Sequence, residues 1–322
     1  MKSLYGWMTL PLLCLASFSL ITGCCPTACK IEPNLCYTPQ KRLVETLPQG
    51  FPELTSQERS RDWGRELMLG KAFAKEMDLY RAITCFKRAQ FLIPHKQFDR
   101  LLEIQYDIFL AYYTANKFQE AIEIFEGSRL MDAPASFPVM RELLIALYDS
   151  YLQMDQPERA CRIHALLDEL DGCAATNLTL STSIINVDFP TMIETAPNTP
   201  SCEAVNDFLS CYCYESKSVK KAQILNAVLP GAGYYYVGQK KAAVTSFLIN
   251  ALFIAASYQL FDRGYIPAAI ITTSLEMGWY FGGINGAGLE ARQYNEIMYE
   301  RGARGLLVEE RLFPILMFQK GF

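Results

Sequence analysis

"LGKAFAKEMDLYRAITCF" (69–86), "IFLAYYTANKFQEAIEIF" (108–125) and "LYDSYLQMDQPERACRIH" (147–164) align without a gap. Ala82, Ala121 and Ala160 recur every 39 residues, as do Phe73, Tyr112 and Tyr151 and, less regularly, Phe86, Phe125 and His164. From Glu53 to about Asp171 apolar residues fall at three- and four-residue steps, the spacing of one face of an α-helix. An aromatic on one helix facing a small residue on the next is what a tight helical hairpin needs. The small residue lets the backbones approach, and the rings fill the space between. Thr55-x-x-Glu58 has the form of a capping box and marks the first helix start.

These units resemble the tetratricopeptide repeat. Gly70, Phe73, Ala82, Phe86, Ala89 and Pro94 fill that family's small, aromatic, Ala, aromatic, small and Pro positions in the first unit. The second keeps Tyr112, Ala121, Phe125 and Ser128 but has Phe109 at a small position and lacks the proline. The third keeps Tyr151 and Ala160, with Tyr148 and His164 elsewhere. The family period is about 34 residues, so helices or connections are expected to be longer here. The resemblance implies a helical-repeat solenoid, three units being about the minimum for a stable stack. It also implies a concave groove for an extended peptide or helix of a protein partner. Its groove positions map to Lys71, Lys75, Tyr106, Leu110, Tyr113 and Asp149, with Leu67, Glu103, Glu142 and Gln153 beside them. The two tyrosines are the expected anchors, since exposed aromatics carry much of the energy of many interfaces. The lysine/asparagine set that clamps terminal carboxylates in the family is not reproduced.

The N-terminus reads as an export signal. Lys2 precedes an apolar stretch, Leu4 to Leu20, and small residues follow. Ile21-Thr22-Gly23-Cys24 resembles a bacterial lipobox, which implies cleavage before Cys24 and lipid on that cysteine; the alternative is an uncleaved signal anchor. Residues 1–23 are then the signal peptide and 24–52 a Cys-rich lipidated tether. In an oxidising compartment the Cys25–Cys36 and Cys173–Cys213 clusters are disulfide candidates, while Cys85 and Cys161 fall on helical positions as packed thiols.

Residues 53–171 form the repeat domain. Residues 172–216, rich in Thr, Ser, Asn and Pro, are expected to be a linker with a short strand. Residues 217–322 are expected to be a membrane-associated hairpin domain. Ala242–Phe261 carries no formal charge, Asp262-Arg263-Gly264 interrupts, and Tyr265–Ile284 carries only Glu276. About 20 residues per run suffices for a bilayer core of about 30 Å. Pro230, Gly231, Gly233 and Gly238, beside Tyr234–Tyr236, read as an interfacial elbow leading into the first run. A buried helical hairpin of a soluble domain is the alternative, made respectable by Asn250, Gln259 and Glu276. Asn250 and Glu276 lie equally far from Arg263 and are expected to pair, with Gly278, Gly282 and Gly286 as small steps for close helix approach. The segment also resembles an uncharacterised bacterial module, Leu-Pro-Gly-x-Gly-x-x-Tyr-x-Gly, at Leu229–Gly238. Phe247–Leu252 and Glu276–Tyr280 continue the likeness, while Gly283 to Ala287 departs from its spacing. That likeness implies architecture and no activity.

With net charge −4 over 322 residues there is no electrostatic case for nucleic acid. The glycines do not space as a phosphate loop, no Ser-His-Asp or metal-ligand pattern appears, and no cofactor is expected. His95 and His164 are expected to be structural. The expected function is non-catalytic: an envelope lipoprotein whose repeats bind a protein partner while the hairpin contacts membrane lipids. The alternative is a component of an outer-membrane protein assembly or transport machinery. An inner-membrane location is favoured, because outer-membrane integral proteins are barrels. Lys217, Lys220, Lys221, Lys240 and Lys241 would then lie outside, against the positive-inside rule.

Overall fold

A computed structural model describes residues 31–94 and 96–322. The described residues are mainly helical, 76% helix, with no strands among them and one isolated bridge, Gln49 to Gly321. The expected signal, Cys24, Cys25, Cys29 and His95 lie outside the described residues. Two compact units are present, Pro33–Glu215 with Met298–Phe322, and Ser216–Ile297 with Ile31 and Glu32.

The larger unit opens with α1 (Lys41–Thr46) and α2 (Ser56–Ser60). The capping box is formed: Thr55 Oγ1 accepts from Glu58 N at 3.3 Å, and Glu58 Oε2 accepts from Thr55 N at 2.7 Å. There follow α3 (Asp62–Lys75), α4 (Leu79–Leu92), α5 (Phe98–Thr114), α6 (Phe118–Glu126), α7 (Met140–Gln153) and α8 (Pro157–Leu170), each packed on its chain neighbour. The small-against-aromatic logic is visible at Gly70, where an added Cβ would lie 2.5 Å from the Phe86 ring. Ala82, Phe86, Ala121 and Ala160 are buried.

The 39-residue register is recorded in the backbone. Met77, Asn116 and Asp155 each adopt a positive φ, near 61°, 57° and 54°, at the end of α3, α5 and α7. In each, the next residue's N–H donates to a carbonyl five residues back, closing the helix end with a left-handed residue. The 39-residue spacing takes in the 17-residue α5 and, after α6, a segment with a short 3-10 turn, Arg129–Asp132.

Residues 172–216 are not a linker. They form α9 (Gly172–Ile185), α10 (Phe189–Thr195) and α11 (Cys202–Glu215). The polar composition misled because the hydroxyls turn inward on their own helix: Thr176 and Thr179 donate to the carbonyls of Gly172 and Ala175. Asp171 caps the start by accepting from Ala174 N, and Ala175, Leu178, Leu180 and Ile184 are fully buried. The turn after α9 repeats the left-handed helix end at Val187, φ 58°. A β-branched side chain is strained there, whereas Asn116 serves the same place in an earlier turn. Val187→Asn is therefore expected to raise stability by about 1 kcal/mol; an unchanged or lower urea midpoint would contradict this.

The chain end belongs to this unit and not to the hairpin. The last turns of α15 (Ile266–Glu309) and the segment after it pack among α9–α11 and against α5 and α7. Tyr299 is fully buried, donates to Ile184 O at 2.7 Å, and meets the rings of Phe189, Phe208 and Tyr212.

The smaller unit holds α12 (Val219–Val228), α13 (Ala232–Val237), α14 (Lys240–Asp262) and α15 up to Ile297. Among the described helices α14 alone is long and apolar enough to cross a membrane. The second expected run, Tyr265–Ile284, is continuous with the rest of the 44-residue α15.

Candidate functional site

In the larger unit α3, α5 and α7 bring the expected groove residues together, although not as an open surface. Tyr106 is fully buried, and Leu110 and Tyr113 nearly so. Phe51 and Phe137 cover the Tyr106 ring at 5.8 and 6.1 Å between centroids. Phe318 stacks on Tyr113 at 6.0 Å. The tyrosines are therefore not free anchors; other segments of the chain already cover them.

One covering segment, a C-terminal strap, is Leu312–Phe322, which is irregular apart from a 3-10 turn at Pro314–Met317. It is gripped largely through its backbone. Arg141 donates to Met317 O at 2.8 Å, and Gln319 N donates to Glu142 Oε1 at 3.2 Å. Gly321 donates to Pro48 O at 2.8 Å and accepts from Gly50 N at 3.3 Å, while Lys320 Nζ donates to Pro138 O. Phe322 closes the row, stacked on Phe86. None of this was anticipated from "LFPILMFQKGF", whose one signal was an apolar run without helical period.

Helices α2, α3 and α5 hold a largely buried ionic centre. Lys71 Nζ is 2.6 Å from Glu103 Oε1 and 3.7 Å from Asp107 Oδ2, and Arg100 bridges Glu103 to Glu58. Burial opposes the charge on Lys71, but the pull of Asp107 and Glu103 wins and raises its pKa. The Arg100 guanidinium holds the Glu58 carboxyl down at about 2. Asp107 behaves oppositely: burial, reinforced by Glu103 and opposed by Lys71, pushes it up to about 7. Both its oxygens lack a hydrogen-bond partner among the described residues. A carboxyl whose folded pKa exceeds its unfolded value favours the fold below the unfolded pKa, and that contribution is lost as pH rises through the folded one. Asp107→Asn is thus expected to stabilise the protein at pH 8 by about 2 kcal/mol and to flatten the melting temperature between pH 4 and about 7. An unaltered pH profile would refute it. Lys75 is half-buried one turn from Lys71, lining a recess with Gln49 and Arg59. Asp149 accepts from Tyr113 Oη at 2.7 Å. His164 bonds Ala175 O and Thr179 Oγ1, a structural role.

In the smaller unit the glycines of the elbow mark a crossing of backbones. Gly231 has φ 91°, and a Cβ there would lie 2.3 Å from Ala243 O; one on Gly233 would lie 2.2 Å from Ala222 O. Gly238 has φ 93° in open space. Asn226, unremarked in the sequence, is the hub: it is buried and its Oδ1 accepts from Gly231 N at 2.8 Å. Tyr280 Oη donates to Ala227 O on the same helix. Asn295 holds Lys217 by both backbone groups, at 2.7 and 2.8 Å.

Asn250 and Glu276 are both buried, 2% and 8% exposed, while Leu248, Leu252, Ile271 and Leu275 around them are about 60% exposed or more. The Asn250 amide donates to Ser246 O; Asn250 Oδ1 and Glu276 Oε2 have no hydrogen-bond partner among the described residues. Of the small steps, only Gly286 is tight, against Tyr234 Oη; Gly278 and Gly282 have nothing within 4 Å, and a Cβ on neighbouring Gly283 would lie 3.2 Å from Asn226 Nδ2.

The cysteine expectation is corrected in part. Cys36, Cys85, Cys161, Cys173, Cys202 and Cys211 are free thiols, so no disulfide forms at these positions. Cys85 is packed as expected, but Cys161 is exposed, being on the outer face of α8. No protein-family model, curated protein or solved structure matches this chain.

Proposed function

We propose that the chain is a non-catalytic envelope lipoprotein, lipidated at Cys24, whose α14–α15 hairpin enters the membrane. Its helices form a tetratricopeptide-like solenoid that holds a protein partner beside the bilayer. The observation carrying this reading is the inside-out hairpin: Asn250, Ser257 and Glu276 are buried while Leu252, Ile254, Tyr258, Ile270 and Leu275 are exposed. Water would penalise that arrangement, whereas hydrocarbon favours it. A helix of 23 residues rises about 34 Å, enough to cross a bilayer core of about 30 Å. Tyr258 and Tyr265 near the tip and Tyr235 at the elbow provide ring anchors for the two interfaces. The backbone-led grip on Leu312–Phe322 supports the concave face as a seat for extended chain, which a partner segment would share or take over.

Metabolic fatty-acid labelling with alkaline extraction of membranes tests the proposal. The wild type should carry label and resist extraction. Cys24→Ser should lose the label and still resist extraction, because the hairpin remains. Label persisting in Cys24→Ser would reject lipidation at that residue, and release of the Cys24→Ser protein would reject insertion.

A further inference from the structure

Beside the Phe318 contact a cavity of about 190 Å³ remains open between the strap and α5. Its walls include Tyr37, Tyr113, Phe118 and Phe313, and its polar end includes Asp149 and Gln153. Tyr37 stacks on Phe313 at 5.2 Å, and Tyr113 meets Phe118 edge-on at 5.9 Å. Asp149 is held in place, Oδ2 accepting from Tyr113 Oη at 2.7 Å and Oδ1 from Gln153 Nε2 at 3.3 Å. Both partners are neutral, and no Lys, Arg or His is among the residues lining the cavity. A carboxylate fixed among four rings without a cation is electrostatically incomplete. Aromatic faces carry negative potential, so they attract the same charge that the carboxylate lacks.

We propose that this cavity is a binding site for an organic cation, an alkylammonium head group seated on Asp149 and enclosed by Tyr37, Tyr113, Phe118 and Phe313. A cavity of about 150 Å³ holds a molecule the size of benzene, so the space here takes a head group with a short alkyl stem and not a larger ligand. Burial pushes the Asp149 carboxyl upward, and a bound cation would draw it back to the ionised form. The site stands whether or not the concave face takes a protein. Its cation has two sources, a lysine side chain of a peptide or a small methylated amine.

Calorimetric titration of the full chain in detergent tests this with three probes: n-butylammonium for lysine, choline for a methylated amine, and 3,3-dimethylbutan-1-ol, the uncharged isostere of choline. At least one cation should bind saturably, one per chain, at least tenfold tighter than the neutral isostere. Preference for n-butylammonium assigns a lysine side chain, and preference for choline a methylated amine. Asp149→Asn keeps the acceptor for Tyr113 and should weaken cation binding at least tenfold. Tyr37→Leu, on the half-buried rim, should weaken it several-fold and serves if Asp149→Asn does not fold. Absence of saturable binding overturns the proposal. So does equal binding of the isostere, or cation binding unchanged in the folded variants.

Discussion

Removing residues 312–322 should collapse the larger unit's stability, the largest effect expected anywhere in this protein. Leu312, Phe313, Ile315, Leu316, Met317, Phe318 and Phe322 are each at most 8% exposed. At about 1.5–3 kcal/mol per buried side chain, their gross contribution exceeds 10 kcal/mol before the cost of ordering the strap is subtracted, and about 5 kcal/mol or more should remain. Truncation would also uncover Tyr113 and leave Arg141 and Glu142 without their backbone partners. The expected result is a lower unfolding midpoint together with strong binding of an apolar dye. Phe318→Ala alone should cost about 3 kcal/mol, and Lys320→Ala well under 1 kcal/mol. A truncated chain that melts like the wild type would show that the strap is not part of the fold.

The second large effect is expected at the elbow, where three glycines should differ sharply. Gly233→Ala places a methyl 2.2 Å from Ala222 O and 2.8 Å from Ala287 Cβ. Backbone cannot yield as a side chain would, so the cost should reach about 3 kcal/mol. Gly231→Ala combines a contact at 2.3 Å with a positive φ and should be at least as harmful. Gly238→Ala meets nothing within 4 Å, and only its φ of 93° is penalised, by about 1 kcal/mol. Denaturation in detergent should place Gly231→Ala and Gly233→Ala well below Gly238→Ala in stability. Equal tolerance at all three positions would mean that α12, α13 and α14 do not cross closely.

The two results bear on different ways of reading a sequence. The glycine pattern at 229–238 is local, and its unusual backbone could be suspected from residue types alone, although not which atoms press on it. The strap is the opposite case. Its residues lack period, and residues that receive it lie far earlier in the chain, 176 positions in the case of Met317 and Arg141. Tyr106 and Tyr113 illustrate the consequence. Their place on one face of α5 follows from helical spacing, but their burial depends on Phe51, Phe137 and Phe318, which no helical register connects to them.

What the sequence determined by itself was therefore whatever is written in periods: the mainly helical class, the 39-residue recurrence that reappears as left-handed helix ends at Met77, Asn116 and Asp155, the capping box at Thr55, and the long apolar helix Lys240–Asp262. Composition misjudged 172–216, because Thr and Ser can satisfy their hydroxyls on their own helix and leave an apolar face to pack. Tertiary structure alone decided that Asp107 and Glu103 share Lys71, that Asn226 receives Gly231, and that Leu312–Phe322 closes the concave face. Each depends on contacts between distant segments, whose strength comes from desolvation and shape, and neither quantity is carried by the spacing of residues along the chain.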